Sequence, residues 1–408
     1  MSRALPRVLA GQALASLASF ITVLALGRWG GESQLGLFAL AMSALFLAVS
    51  LTDSLIATPY TYQRAQAQQP PGDLVMAAVW GVFALVLAIG TGLTLLMRAD
   101  VFGLASLWPA LPLALAAVAL REVRRRHLLV DGATAALLRL DAGSAVLQLS
   151  ALALLVYLDK LDASNALLSM ALAAALPLLP LLRAGQLRRL SAARKTAPAI
   201  VGRFAHYGQW LLMGGLCHVL SVQAYPWLAF AAGGTALAGR FAAATALLNV
   251  MSPVLTGLTN HYRSRLMEAG PRMSPRGFTG RVLGSLPAFV LPAIGLWLAL
   301  VLAGELLLSS LYGDGLASAA VALPWLGLGV VAVALGAPFQ LGLLALGASP
   351  TNLAYHATAL LALVATAALI GPLQLEPLSM AFGGANLLAT AVLALLFFSR
   401  SRLERIVA

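Results

Sequence analysis

Twelve apolar stretches, each about 20 residues long or more, follow one another along this chain and leave few ways for it to fold in water. They run at roughly 9–28, 36–56, 75–97, 101–120, 134–158, 163–183, 204–230, 236–258, 281–303, 318–342, 351–371 and 377–398. As a helix, such a stretch matches the ~30 Å hydrocarbon core of a bilayer. Hydrophobic residues make up 61% of the chain and charged residues 10%, with a mean hydropathy of +0.90, where soluble domains carry about 25% charged residues. The expectation is an all-α polytopic membrane protein of about twelve transmembrane helices. Its connections are too short for a soluble domain, which argues against chemistry needing an extramembrane active site. The first apolar run follows a short basic segment, as in a signal peptide, but it is too long and lacks a small-x-small cleavage site. It reads as a retained first helix.

The chain nearly repeats itself at half its length. Gly30-Gly31, Gly36, Phe38 and Ala39 recur as Gly233-Gly234, Gly239, Phe241 and Ala242, each displaced by 203 positions in a chain of 408. Gly11-Gln12 recurs less regularly as Gly208-Gln209, displaced by 197. A shared displacement near half-length points to duplication. The expected organisation is an N-terminal six-helix lobe over 1–183, a basic linker over 184–203 and a C-terminal six-helix lobe over 204–408. With six spans in each, both copies enter the membrane from the same side and are related by a pseudo-twofold along its normal. Such repeats are typical of transporters.

Basic residues set the expected orientation. Most of the 26 Lys and Arg fall on the side of the two termini, in Arg64, the run Arg121, Arg124, Arg125 and Arg126, the stretch Arg183 to Arg203, and the stretch Arg263 to Arg281. Arg28, Arg98, Lys160 and Arg240 fall on the other side. By the positive-inside rule both termini are cytoplasmic, and the +12 net charge faces anionic lipid. Nothing in the basic stretches carries a nucleic-acid motif. The arginine run at 124–126 reads as a solvated topology signal. Cys217, the single cysteine, reads as a packing residue.

Polar groups inside the spans are costly in hydrocarbon, so they tend to face a bundle interior or a watery cavity. Asp53 lies in the second span. Asp141, Ser144 and Gln148 fall at i, i+3 and i+7 on one face of the fifth, with function and structural pairing both open for Asp141. Arg139, near the entry of that span, snorkels. Thr245, Asn249, Ser252 and Thr256 share a face of the eighth span beside Pro253, where helix packing is an equal reading. Gln12, Ser16 and Ser19 form a shorter stripe in the first, and His206, His218, Ser221 and Tyr225 mark the seventh. Thr58-Pro59-Tyr60-Thr61-Tyr62 closes the second. A polar cavity lined by spans one, two, seven and eight would use most of these residues.

Arg28-Trp29-Gly30 followed by Leu35-Gly36-Leu37-Phe38-Ala39 resembles the first-loop signature of bacterial polysaccharide-lipid flippases of the Wzx type. Ala345-Leu346-Gly347-Ala348-Ser349-Pro350 resembles that family's turn between spans ten and eleven, and Gly383-Gly384-Ala385 resembles its Gly-rich last helix. The family belongs to the multidrug/oligosaccharidyl-lipid/polysaccharide (MOP) superfamily of two six-helix lobes. The resemblance implies a non-enzymatic transporter in the bacterial inner membrane. It would move an undecaprenyl-diphosphate-linked oligosaccharide from the cytoplasmic to the periplasmic leaflet by alternating access, for exopolysaccharide, capsule or O-antigen synthesis. It also implies lipid neighbours, a polysaccharide polymerase and chain-length machinery as partners, and no cofactor. Arg28 matches the arginine ending the family's first helix, and Arg240 resembles an arginine in the eighth helix of the related lipid II flippases. The chain departs from the latter in having only Asp53 as a charge in span two and in lacking two further helices.

Phosphates match arginine donors, and sugars match hydroxyls, amides and aromatic faces. The expected substrate contacts are therefore Arg28 and Arg240 for the diphosphate, and Gln12, Gln209, Asn249, Tyr60, Tyr62 and Tyr225 for sugars. Asp53, Asp141 and His206 are the candidates for ion coupling. One rival is a multidrug-type cation antiporter of the same superfamily, which needs a carboxylate-lined pocket. Another is a membrane polysaccharide polymerase or ligase, which needs a larger external loop. There is no metal-ligand spacing, phosphate loop or nucleophile elbow.

Overall fold

The computed structural model describes residues 4–65, 71–100, 103–182, 190–269, 273–347, 350–370 and 374–407. Among them the chain is helical and contains no strand. The helices are α1 (Ala4–Ala25), α2 (Gly31–Thr52), α3 (Thr58–Ala65), α4 (Pro71–Arg98), α5 (Ala110–Val130), α6 (Thr134–Tyr157), α7 (Ala163–Ala175), α8 (Ala197–Leu248), α9 (Met251–Ala269), α10 (Pro275–Tyr312), α11 (Leu323–Ala345), α12 (Pro350–Ile370) and α13 (Leu375–Val407). Among the described residues six helical stretches are long and apolar enough to cross a membrane unaided, and the bent pair Leu211–Leu248 and Met251–Ala269 passes the same test as a unit. The helices group into two compact units that divide between Val219 and Leu220, within α8. Arg183, Arg188 and Arg189 of the expected linker, and Ala348-Ser349 of the expected turn, lie outside the described residues.

In the first unit α1 packs on α6 and α5 on α7. Two π-helical segments interrupt the regular winding, Leu26–Gly30 and Asp53–Ala57. The second has a covalent cause. Pro59 has no N–H to donate into the preceding turn, and the backbone N–H of Thr58 reaches back five residues to the Asp53 carbonyl, which is the π register. A core of Tyr60, Leu74, Val82, Val123 and Phe204 lies between α3, α4, α5 and the first part of α8.

The sequence reading placed the fourth span at 101–120, and the structure moves it. The helix begins after Pro109 and continues through the arginine run to Val130. Hydropathy treats a charged residue as an exit, but here the charges find partners and the winding does not stop.

In the second unit α11 packs against α10 and α13. Phe278, Phe289, Phe339 and Phe397 fill the core. A Cβ on Gly383 would lie 2.7 Å from the Trp325 carbonyl oxygen, so the missing side chain lets α13 approach α11. Thr390 donates across the same contact to the Ala332 carbonyl at 2.8 Å. Ser274 caps α10 by accepting from the Gly277 N–H, with Pro275 at its first turn.

The sequence repeat is also a repeat of backbone. Gly31 has φ 80° and ψ 175°, and Gly234 has φ 70° and ψ −164°, a region essentially reserved for glycine. Each follows a second glycine and breaks a helix at the same place in the two copies. Beyond the break the burial pattern matches position by position: Leu35, Phe38, Leu40 and Ala41 are buried, as are Ala238, Phe241, Ala243 and Ala244. The eighth-span stripe does not survive as one face. The helix ends at Leu248 and restarts at Met251, so Asn249 sits in a turn and the phase from Thr245 to Ser252 is lost.

Candidate functional site

The polar residues of the first unit converge where α1, α3, α5 and α6 meet. Arg121 and Arg125 are one helical turn apart on α5, so both side chains face α6. Arg121 donates to Asp141 at 2.7 Å and to the Ser144 hydroxyl at 3.1 Å. Arg125 donates to the other Asp141 oxygen at 3.5 Å and to the Gln12 side-chain carbonyl at 2.9 Å, and it pairs with Glu122 at 3.6 Å. Asp141 is 1% exposed. Gly11 makes this possible, because a Cβ there would sit 2.8 Å from the carboxylate oxygen. The Gly11-Gln12 pair singled out by the repeat thus admits one partner and supplies another.

The remaining members come from the π segment, α3 and the end of α5. Arg126 pairs with Asp53, which also accepts from the Thr58 hydroxyl at 3.2 Å. Tyr60 hydrogen-bonds His127 at 3.0 Å, and His127 and Arg64 both reach Asp131, at 3.4 and 3.6 Å. Nε of Arg64 and Nε of Arg126 are buried and find no acceptor among the described atoms. Tyr62 stacks on Tyr207 of α8 at 4.6 Å between ring centres, and both rings stay partly exposed. Gly208, the counterpart of Gly11, lets α8 approach this region: a Cβ there would lie 2.4 Å from the Ser54 carbonyl oxygen.

Deeper in the unit, a cavity of about 150 Å³ is lined by Ser19, Thr22, Arg121, Asp141, Ser144 and Gln148. Gln148 donates to the Thr22 hydroxyl at 2.9 Å. The stripe read on the fifth span therefore faces inward. Phe38, Met42 and Met170 close its other sides, and the space is roomy enough for water held by those polar groups.

Of the residues picked from the sequence, Gln12, Asp53, Tyr60, Tyr62 and Asp141 come together here. Tyr60 is only 2% exposed and presents no face to a ligand. Arg28 does not join them. It lies in the π segment at the other end of α1, about 24 Å from Gln12 at 1.5 Å per residue. Gln209 and His206 are exposed on the first part of α8. Tyr225 lies in the second unit, 1% exposed against Phe241 and Phe382, so it too is packing in this state. Arg240 is half-buried and Asn249 exposed in the same unit.

Sequence reasoning assigned Arg121, Arg125 and Arg126 to a solvated rim. The signal that could have placed them was the i, i+4 spacing of Arg121 and Arg125, in a helix allowed to continue, against Asp141 on the next one.

No protein-family model matches the sequence, and no curated protein matches it. Solved structures do. An inward-facing multidrug resistance MATE family transporter of the MOP superfamily superposes with a TM-score of 0.76 at 15% identity, covering 99% of both chains. The fold is that of MOP superfamily transporters. The lipid II flippase MurJ in an inward closed conformation gives 0.73 at 10% identity, over 97% of this chain and 90% of that one. A MOP superfamily transporter from Pyrococcus furiosus, described as having a binding pocket of reverse polarity that suggests a different function, gives 0.64 at 16%, over 98% and 95%. At such identities the likeness is one of fold.

Proposed function

We propose that this chain flips an anionic lipid-linked oligosaccharide, of the polyprenyl-diphosphate class, across the bacterial inner membrane by alternating access, with both termini cytoplasmic. The observation that carries this reading is the polarity of the first unit's site. Asp53, Glu122, Asp131 and Asp141 are each engaged by an arginine, so every described carboxylate of this site already has a cationic partner. Two buried guanidinium N–H groups meanwhile have no acceptor among the described atoms. Donors in surplus suit phosphate or sugar oxygens. Tyr62 and Tyr207 add an exposed aromatic platform near this cluster for a sugar face. Polysaccharide polymerase and chain-length proteins would act on the product.

A multidrug antiporter of the same superfamily is the second reading, favoured by the superposition on the MATE transporter. In that case Asp53 and Asp141 would have to part from their arginines to receive a cation or proton. Reconstitution with a labelled polyprenyl-diphosphate oligosaccharide and a leaflet-selective probe separates the two. Protein-dependent change of leaflet supports the flippase. Its absence, with drug hypersensitivity in a deletion strain, supports the antiporter.

A further inference from the structure

We infer that the α4–α5 face of the first unit is a track for a single long isoprenoid chain whose anionic head group is held by arginine at one end. This deepens the flippase reading and rests on it. Two apolar hollows, each about 430 Å³, lie along this face and meet at Phe83 and Leu120. Together they follow α4 from Val75 to Arg98, about 35 Å of helix at 1.5 Å per residue. A bilayer's hydrocarbon core is ~30 Å thick. The acyl chain of an ordinary phospholipid reaches only about half of that, so it would leave much of the track empty.

The two ends of the track differ from its middle. Arg124 and His127 line one end and Arg98 the other, and among the described residues no carboxylate lines either hollow. Arg124 lines the hollow with Val75, Val79 and Trp80 of α4, whereas Arg121 and Arg125 reach Asp141 on α6. Charge complementarity thus selects an anion at each end, and the length between them selects a chain longer than one leaflet. A polyprenyl diphosphate has both properties. Its diphosphate would rest near Arg124 before transfer and near Arg98 after it, while the tail stays in the same groove.

The test uses full-length protein in detergent micelles, with undecaprenyl diphosphate as probe and phosphatidylglycerol as competitor, read by native mass spectrometry. Retention of undecaprenyl diphosphate against a tenfold excess of phosphatidylglycerol is expected. Arg124→Gln with Arg98→Gln should weaken it at least tenfold. Gly90→Leu is the steric arm: a Cβ at Gly90 meets open space, so bulk enters the groove without a backbone clash. It should weaken binding similarly with an unchanged melting temperature. Equal binding of phosphatidylglycerol, or full retention by both variants, overturns the track. If wild type moves the lipid-linked glycan while the variants bind and transport normally, the track fails and the flippase reading stands. If the variants lose binding but wild type moves no glycan, the track stands and the flippase reading fails.

Discussion

The two units begin with the same device and fill their interiors differently. In each, a Gly-Gly pair breaks a helix with the second glycine near φ +75°, and the helix that follows buries corresponding positions. Behind that shared opening, the first unit threads ion pairs between the π segment at Asp53, α5 and α6, whereas the second packs phenylalanines around Phe289 and Phe397. A duplicated backbone does not oblige the copies to share chemistry. The described ion pairs all lie in the first copy, beside an apolar core of its own.

The largest test of that contrast is Arg121→Ala, which takes the 2.7 Å partner from a carboxylate that is 1% exposed and leaves it the 3.5 Å contact of Arg125. Removing one partner of a buried pair costs about 3–5 kcal/mol, visible as a large drop in melting temperature in detergent. Arg121→Ala with Asp141→Leu should recover most of the loss, and failure to recover would mean that the pair is not the cause. Gly31→Ala and Gly234→Ala come next, each expected to cost about 1–3 kcal/mol through backbone strain. Nothing lies near a Cβ at either position, so equal costs would sharpen the repeat and unequal ones would break it. Tyr355→Phe, in the second unit, removes a 3.1 Å hydrogen bond to Asn386 and should cost about 1 kcal/mol, well below Arg121→Ala. Arg126→Gln should be smallest, under about 1 kcal/mol, because Asp53 is 40% exposed. A larger loss would mark that pair as structural.

Most of the fold was legible because bilayer-length apolar runs announce helices directly, and each of the twelve predicted runs contains helix. The inward stripe Asp141, Ser144 and Gln148 was legible for the same reason, since helical spacing alone places it on one face. The arginines were not. A charge run beside an apolar stretch has the same appearance whether it faces water or a carboxylate on the next helix, and only the packing of α5 on α6 distinguishes the two. Tyr60 and Tyr225 failed in the opposite direction. Their chemistry suits sugars, but contacts with His127 and Phe241 close over them.

The bond from Arg121 to Asp141 has a consequence for biogenesis. Only three residues, Asp131 to Ala133, separate α5 from α6, so the charges meet as soon as the two helices lie side by side. Presented singly to hydrocarbon, each charge would cost roughly 2.5–3.5 kcal/mol on insertion scales. Joined, Arg121 and Asp141 form a hydrogen-bonded pair with no net charge of its own. Pairing within one hairpin therefore lowers the cost of placing either charge in hydrocarbon, and the two helices gain most by entering together.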